Sequence, residues 1–285
     1  RMEHHANIVP WQLVAKERGA VLRVAPADEN GEVPLEGFAA LLGPRTKIAA
    51  FAHANNSLGT VLPVAEMTAL AKSRGVATLI DGAQSVAHLP TNVNQLGVDY
   101  YVFSGHKIYG PTGIGVLYGR KEALASLPPW QGGGNMIRDV TFDESTFQDP
   151  PGRFEAGTPS IVDAVGLGSA LDYVTRLGLP AIAAYEHGLT HYAIEGLRRI
   201  AGVRIVGNPR ERAPLVSFVM DRRSTEEIGK ALDKEGIAVR SGHHCAQPSL
   251  RRYGLEATVR PSFSFYNTQG EIDRLLEVVR RLARS

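Results

Sequence analysis

Lys107 lies in Val102-Phe-Ser-Gly-His-Lys-Ile-Tyr-Gly-Pro-Thr-Gly-Ile-Gly115, between an apolar run, Tyr100 to Phe103, and a glycine-rich turn, Gly110 to Gly115. A strand that carries a lysine to the floor of a cleft strips water from its ammonium. The pKa falls, and the neutral amine can form a Schiff base with an aldehyde. Ser104 and His106 set two hydrogen-bond donors beside it, suited to an oxygen-rich anion. Upstream, Val76-Ala-Thr-Leu-Ile80 reads as a buried strand ending on Asp81, followed by Gly82-Ala83-Gln84. An acid at the carboxyl end of a buried strand lies where open α/β sheets hold their ligands, and a buried carboxylate needs a cationic partner. A third reactive group, Cys245, sits in Gly242-His-His-Cys-Ala-Gln-Pro248, where glycine and proline force a loop and two histidines favour thiolate over thiol.

The bulk of the chain bounds what these groups can serve. With 285 residues, 44% hydrophobic and 21% charged, it is an ordinary globular chain of one or two domains. A formal net charge of +2 has no basic block behind it, so no nucleic-acid footprint is expected. No apolar run reaches the roughly 18 residues that span a bilayer, and no signal peptide is present, which reads as a cytoplasmic protein without a membrane partner. One cysteine excludes an internal disulfide and a cysteine-rich zinc site, and no metal is expected.

The protonated pyridine nitrogen of pyridoxal 5'-phosphate (PLP) would give Asp81 its cation, and enzymes using PLP pair a Schiff-base lysine with an acid on that nitrogen. Six segments then carry a resemblance: Glu3-His-His-Ala-Asn-Ile-Val-Pro-Trp11, Asp81-Gly-Ala-Gln84, Phe103-Ser-Gly-His-Lys-Ile-Tyr-Gly-Pro-Thr-Gly113, Phe154-Glu-Ala-Gly-Thr-Pro159, Arg240-Ser-Gly-His-His-Cys-Ala-Gln-Pro248 and Tyr266-Asn-Thr268. In this order they resemble the cysteine desulfurases of the SUF and selenocysteine-lyase group, class V aminotransferases of PLP fold type I.

The resemblance implies a set of roles. Lys107 would hold PLP and move the substrate Cα proton, Asp81 would face the ring nitrogen, and His4 would cover the ring face. Gln84 and Asn56 would lie on the phenolic-oxygen side, and Ser104 and His106 on the phosphate. Arg260 would grip the substrate carboxylate as a bidentate pair that lysine could not reproduce, with Arg240 and Asn56 in support. Cys245 would take sulfur from L-cysteine, or selenium from L-selenocysteine, as a persulfide and pass it to an acceptor protein of iron-sulfur cluster assembly. Thr158 would reach the cofactor phosphate of a partner subunit, which makes the site that of a homodimer. Read from the residues alone, Asn55-Asn56 before Gly59 is a turn, and His4 and His5 are a surface pair. A selenocysteine lyase, a cystine lyase or an aminotransferase would share Lys107, Asp81 and Arg260, and a non-catalytic scaffold is a further alternative. Cys245 separates these, because an aminotransferase has no use for it.

The elements that must position these groups read as an α/β fold: a large domain over residues 1–175 with a mixed, mostly parallel sheet, and a smaller C-terminal α+β domain over 176–285 carrying the cysteine loop. By the resemblance the chain begins inside the first third of a longer protein, so the large domain is expected to be N-terminally incomplete, without the helix that would bind the cofactor phosphate. Strands are expected at Ala20 to Val24, Lys47 to His53, Val76 to Ile80 and Tyr100 to Phe103, then at Val203 to Val206, Leu215 to Met220 and Ile237 to Arg240. Helices are expected over Leu35 to Leu41, Val64 to Arg74, Thr225 to Glu235, Gln269 to Arg284 with Thr268 as N-cap, and from Ile161 to about Ile200 with a break at Gly178-Leu-Pro180. Thr141 to Arg153 lacks periodicity and reads as a long functional loop.

Overall fold

A computed structural model describes residues 1–284. Its first half is built on a four-stranded sheet of β1 (Ile48–Ala52), β2 (Ala77–Asp81), β3 (Tyr100–Ser104) and β4 (Gly115–Gly119), in that spatial order. The first three strands are parallel and β4 is antiparallel to β3. The connections carry helices: α1 (Val9–Arg18) and α2 (Leu35–Ala39) precede the sheet, α3 (Val64–Ser73) joins β1 to β2, and α4 (Val93–Leu96) joins β2 to β3. Met67 and Ala71 of α3 are buried against the core that contains Phe51 and Ile80. That helix stops where Gly75 takes φ +68°. Its N–H bonds to Lys72 O and that of Val76 to Ala71 O, a glycine-dependent C-cap that returns the chain to the sheet. Parallel pairing puts the carboxyl ends of β2 and β3 on one edge, so Asp81, opposite Val102, shares that edge with Ser104 and the Lys107 turn.

Past α5 (Lys121–Ala125), the segment expected to be a loop holds a hairpin of β5 (Ile137–Val140) and β6 (Ser145–Phe147). Its strands are exposed on both faces, so the apolar alternation that marks a strand is missing from the sequence. Helices α6 (Ile161–Leu177) and α7 (Leu179–Arg198) follow, parted at Gly178. Strands β7 (Val203–Val206), β8 (Ser217–Met220), β9 (Arg240–Gly242) and β10 (Thr258–Arg260) form an antiparallel sheet in the order β7-β8-β10-β9. With α8 (Thr225–Lys234) and α10 (Gln269–Arg284) they enclose a second core around Phe218, Ile228, Leu232, Val259, Ile272 and Leu276. The short α9 (Gln247–Arg251) follows the cysteine loop. Thr268 caps α10 as expected: its hydroxyl accepts from Glu271 N, and the Glu271 carboxylate accepts from Thr268 N.

Three expected strands differ. Ala20 to Val24 forms no strand. Val21, Leu22 and Val24 are exposed, and a β-prone run with no neighbouring ladder cannot satisfy its backbone as a strand. The strand placed at Ile237 to Arg240 begins only at Arg240, because pairing with β10 runs from Arg240 to Gly242. Ile237 and Val239 instead pack as partly buried apolar residues on the second core. The strand expected from Leu215 starts at Ser217, Leu215 making only an isolated bridge to Ser262.

Candidate active site

The floor of the site is fixed by a turn and a buried tyrosine. Asp81 Oδ1 accepts from Ala83 N at 2.9 Å. Between them, Gly82 lies against the Tyr101 ring so closely that a Cβ would fall 2.0 Å from Cε1. The Tyr101 hydroxyl bonds to His53 Nδ1 and Ser85 Oγ, each at 2.8 Å. All three are buried, and burial pulls His53 down to about 4, so its ring is neutral. The turn that presents Asp81 and Gln84 therefore rests on a rigid, fully bonded platform.

Lys107 lies half-buried in a single 3-10 turn, Gly105–Ile108, closed by Gly110 N to Gly105 O at 3.0 Å. Burial lowers its pKa first; Asp81 opposes this, Arg260 and Arg240 add to it, and Cys245 opposes it. Groups far apart in sequence thus act on one amine. The next residue but one, Tyr109, takes φ +65° and bonds through its hydroxyl to Ser264 Oγ at 2.7 Å, tying the lysine turn to the C-terminal half.

His4 reaches the same place. Burial lowers its pKa, Lys107 lowers it further and Asp81 opposes, while its Nδ1 accepts from Ala6 N at 3.1 Å. Neither histidine of the pair is a loose surface residue: His5 N donates to Cys245 O at 2.7 Å, and its Nε2 accepts from Gln247 N at 3.2 Å. Glu3 went unnoticed in the sequence. Burial raises it to about 7, against the Asn7 amide bond at 2.7 Å, and Asp81 adds to the rise. An acid preceding two histidines carries no signal of its own, because its burial comes from the fold.

The cysteine loop differs from expectation in what touches sulfur. Arg240 Nη2 lies 3.5 Å from Cys245 Sγ. His243 Nδ1 accepts from Cys245 N at 2.9 Å, and its ring stacks on His5 at 5.6 Å between centroids. His244 is wholly buried and turns to Thr258. Burial first, then Arg260 and Arg240, pull it to about 3. A neutral imidazole offers the sulfur no cation, so the positive charge beside Cys245 is a guanidinium.

Arg260 Nη1 donates to the Asn56 carbonyl, and Asn56 Nδ2 donates to His244 O at 2.6 Å. Arg260 Nε and Asn56 Oδ1 are buried with no partner among the described residues. Leaving such atoms unpaired costs about 1–3 kcal/mol each, which a ligand presenting an acceptor to Arg260 Nε and a donor to Asn56 Oδ1 would offset. Burial and Arg240 lower Arg260 to about 10, still a cation at neutral pH. Gln84 and Ser104 are half-buried and His106 exposed, and the Ser104 side chain makes no capping bond. Thr158 is exposed, and among the described residues no hydrogen bond ties it to this cluster. Asp81, Lys107, His4, Asn56, Arg240, Cys245 and Arg260 are thus linked by bonds or by direct electrostatic influence, whereas Thr158 is not.

The model of the aminotransferase class-V family matches residues 1–275. The chain belongs to that family. Among its relatives, a probable cysteine desulfurase of Mycolicibacterium paratuberculosis is 60% identical over 99% of this chain, which spans only 41% of that protein. The cysteine desulfurase of Serratia proteamaculans is 48% identical, with 99% of this chain and 69% of that one covered. Among solved structures, the Escherichia coli cysteine desulfurase CsdA, described as an S-sulfonic acid, superposes with a TM-score of 0.96 at 37% identity, covering 99% of this chain and 70% of that one. The class-V fold expected from the sequence, with its mixed, mostly parallel sheet, is therefore the fold observed. No helix among the described residues is long and apolar enough to cross a membrane.

Proposed function

We propose that this chain carries the machinery of a PLP-dependent cysteine desulfurase, converting L-cysteine to L-alanine and retaining the sulfur on Cys245. One observation carries the reading: Asp81, the Arg240 and Arg260 guanidiniums and the only cysteine all act on the Lys107 amine, and Arg240 Nη2 lies 3.5 Å from Cys245 Sγ, although Asp81 and Cys245 are 164 positions apart (245 − 81). The residues fit PLP. A half-buried lysine with a lowered pKa stands beside a strand-end carboxylate, and unpaired buried polar atoms lie in the same cluster. When bound, PLP supplies an electron sink for a carbanion at the substrate Cα. Lys107, Asp81, Gln84, Ser104, His106, Asn56 and His4 would hold it, with Asp81 keeping a proton on the ring nitrogen.

The remaining steps belong to the chain's own residues. Arg260 binds the substrate carboxylate, and Lys107, its pKa lowered by burial, moves the Cα proton. Cys245 thiolate attacks the substrate sulfur. The S–S bond forms as the Cβ–S bond breaks, its electron pair stays with the carbon fragment, and protonation there gives alanine. Arg240 compensates the charge on the cysteine and then on its persulfide. An acceptor protein would remove that sulfur. Thr158 and the exposed Ile161, Val162 and Val165 of α6 support a second copy of the chain as partner. Domains at 1–175 and 176–285 are supported by the two cores, although Ile182, Val206 and Leu250 belong to the first.

Cys245→Ser tests the reading. A hydroxyl cannot accept sulfane sulfur, so protein-bound persulfide should vanish and alanine from L-cysteine should fall by about 100-fold or more, with PLP binding unchanged. Undiminished alanine would leave a different PLP reaction. A full loss with L-cysteine but a small one with L-selenocysteine would fit the SUF and selenocysteine-lyase group and leave the natural substrate open.

A further inference from the structure

Five buried polar residues around the cysteine loop close into a ring. Asn56 Nδ2 donates to His244 O at 2.6 Å. The His244 ring meets Thr258 through Nε2, at 2.8 Å to Oγ1 and 3.1 Å to O. Thr258 Oγ1 donates to Ser217 Oγ at 3.1 Å, and Ser217 Oγ donates to Ser57 O. Ser57 is the covalent neighbour of Asn56, which completes the circuit. Asn56 is 5% exposed and the other four 0%. Below the ring, Asn55 Oδ1 accepts from Ser57 N at 2.9 Å and Leu58 N at 2.6 Å, which fixes the turn.

The direction of the bonds sets the tautomer. The Thr258 carbonyl only accepts, and the Thr258 and Ser217 hydroxyl protons are already committed onward, so His244 Nε2 carries the proton. His244 thus enters the ring twice, by its carbonyl and by its side chain. It and Cys245 are consecutive residues with φ of +55° and +54°, a left-handed conformation that L residues hold only where their surroundings enforce it. The ring, with the His5 N to Cys245 O bond, is that enforcement, and the outcome is Sγ facing Arg240.

We infer that His244 is a positioning residue for Cys245: held in the buried ring by both its carbonyl and its imidazole, it keeps the thiol against the Arg240 guanidinium. It does not touch sulfur. The inference rests on the desulfurase reading only for the part that Cys245 plays, and it adds a reason for histidine at a position where the reaction itself asks for none.

The test reads where the thiol sits without any turnover. Iodoacetate and iodoacetamide both alkylate a thiolate, so the ratio of their rates cancels the thiol's ionisation and reports the local field. Cations around a reactive group raise the rate of an anionic reagent by about 10-fold or more in favourable cases. In the purified full chain, with alkylation mapped to Cys245, the ratio should exceed that of the urea-unfolded chain by at least about threefold. His244→Leu keeps volume but no donor and should drop the ratio towards the unfolded value. His244→Gln, whose Nε2 can reach Thr258, should restore most of it. His244→Asn suits the left-handed backbone, but its amide stops at the position of Nδ1. It should behave as leucine does, in a chain with less reason to misfold. Thermal melting identifies the folded variants. An unchanged ratio in folded Leu or Asn variants, or a Gln variant no better than Leu, overturns the inference. Missing persulfide with the expected ratios would instead overturn the desulfurase reading and leave the role of His244 intact.

Discussion

Gly82→Ala should destabilise the chain by about 4 kcal/mol, and the contacts around Gly82 show why. The added Cβ would lie 2.0 Å from Tyr101 Cε1, 2.3 Å from Cζ and 2.4 Å from the hydroxyl oxygen. Ordinary carbon contacts begin near 3.5 Å, so the ring must retreat by roughly 1.5 Å. Overpacking a filled core costs about 1–3 kcal/mol. The retreat also draws the hydroxyl from His53 Nδ1 and Ser85 Oγ. Ser85 Oγ keeps a second bond, to Gly82 O at 3.1 Å, but His53 Nδ1 is left without its partner, which costs about 1–3 kcal/mol more. No left-handed strain is added, because Gly82 does not occupy the positive-φ region. With a urea slope of about 3 kcal/mol/M, the unfolding midpoint should fall by roughly 1.3 M. Tyr101→Phe alone should cost about 1–2 kcal/mol, and the double variant less than the sum, since the same hydroxyl bonds are lost in both. A loss below about 1 kcal/mol for Gly82→Ala, or strict additivity, would refute the platform described for the Asp81 turn.

Stability should also depend on pH through the buried histidines. His53 titrates at about 4 and His244 at about 3, both held down by burial. As pH falls below the ordinary value of about 6.5, the unfolded chain takes up protons that the folded one refuses. Stability complete above 6.5 is lost towards 4 and 3, at up to about 1.4 kcal/mol per pH unit for each ring. Glu3, raised to about 7, acts in the opposite sense, its contribution shrinking as pH rises from about 4.5 to 7. Urea midpoints from pH 5 to 6.5 should therefore rise less steeply in His53→Gln and more steeply in Glu3→Gln, and slopes equal to the parent would contradict the assignment. A separate prediction concerns Glu186, 1% exposed, whose Oε2 lies 2.8 Å from His88 Nδ1 while its Oε1 has no partner among the described residues. His88→Ala strands that carboxylate and should cost about 3 kcal/mol. Adding Glu186→Leu should recover part of the loss in the same urea assay, and a further loss would show that the pair is not the source.

The floor of the site was legible in the sequence because local signals coincide there: a buried run from Val76 to Ile80 ending on Asp81, an apolar run from Tyr100 to Phe103, and glycines on either side of Lys107. Asp81 and Lys107 then share a sheet edge by the ordinary rule for parallel strands. The cysteine loop was legible as a loop, but not in its electrostatics. His243 and His244 look like cations beside a thiol, yet one bonds backbone and the other is buried neutral, and Arg240, five residues upstream, takes their place. No periodicity reports a bond between Asn56 and His244 across 188 positions. Ala20 to Val24 failed for a related reason: β-propensity is local, while a strand exists only where another strand accepts its hydrogen bonds.

The bonds that seat Cys245 join the two ends of the chain, from His5 to Gln247 across 242 positions and from Asn56 to His244 across 188. Contacts so distant form only after the closure entropy of nearly the whole sequence has been met. During synthesis, Lys107 leaves the ribosome 138 residues ahead of Cys245 (245 − 107), which at about 5–20 residues per second is a lead of roughly 7 to 28 s. Through that interval the nascent chain has an amine and a carboxylate on its sheet edge but no thiol to meet them. The order of residues along the polypeptide thus imposes a timetable, in which the group that would handle sulfur is installed long after the amine and the carboxylate.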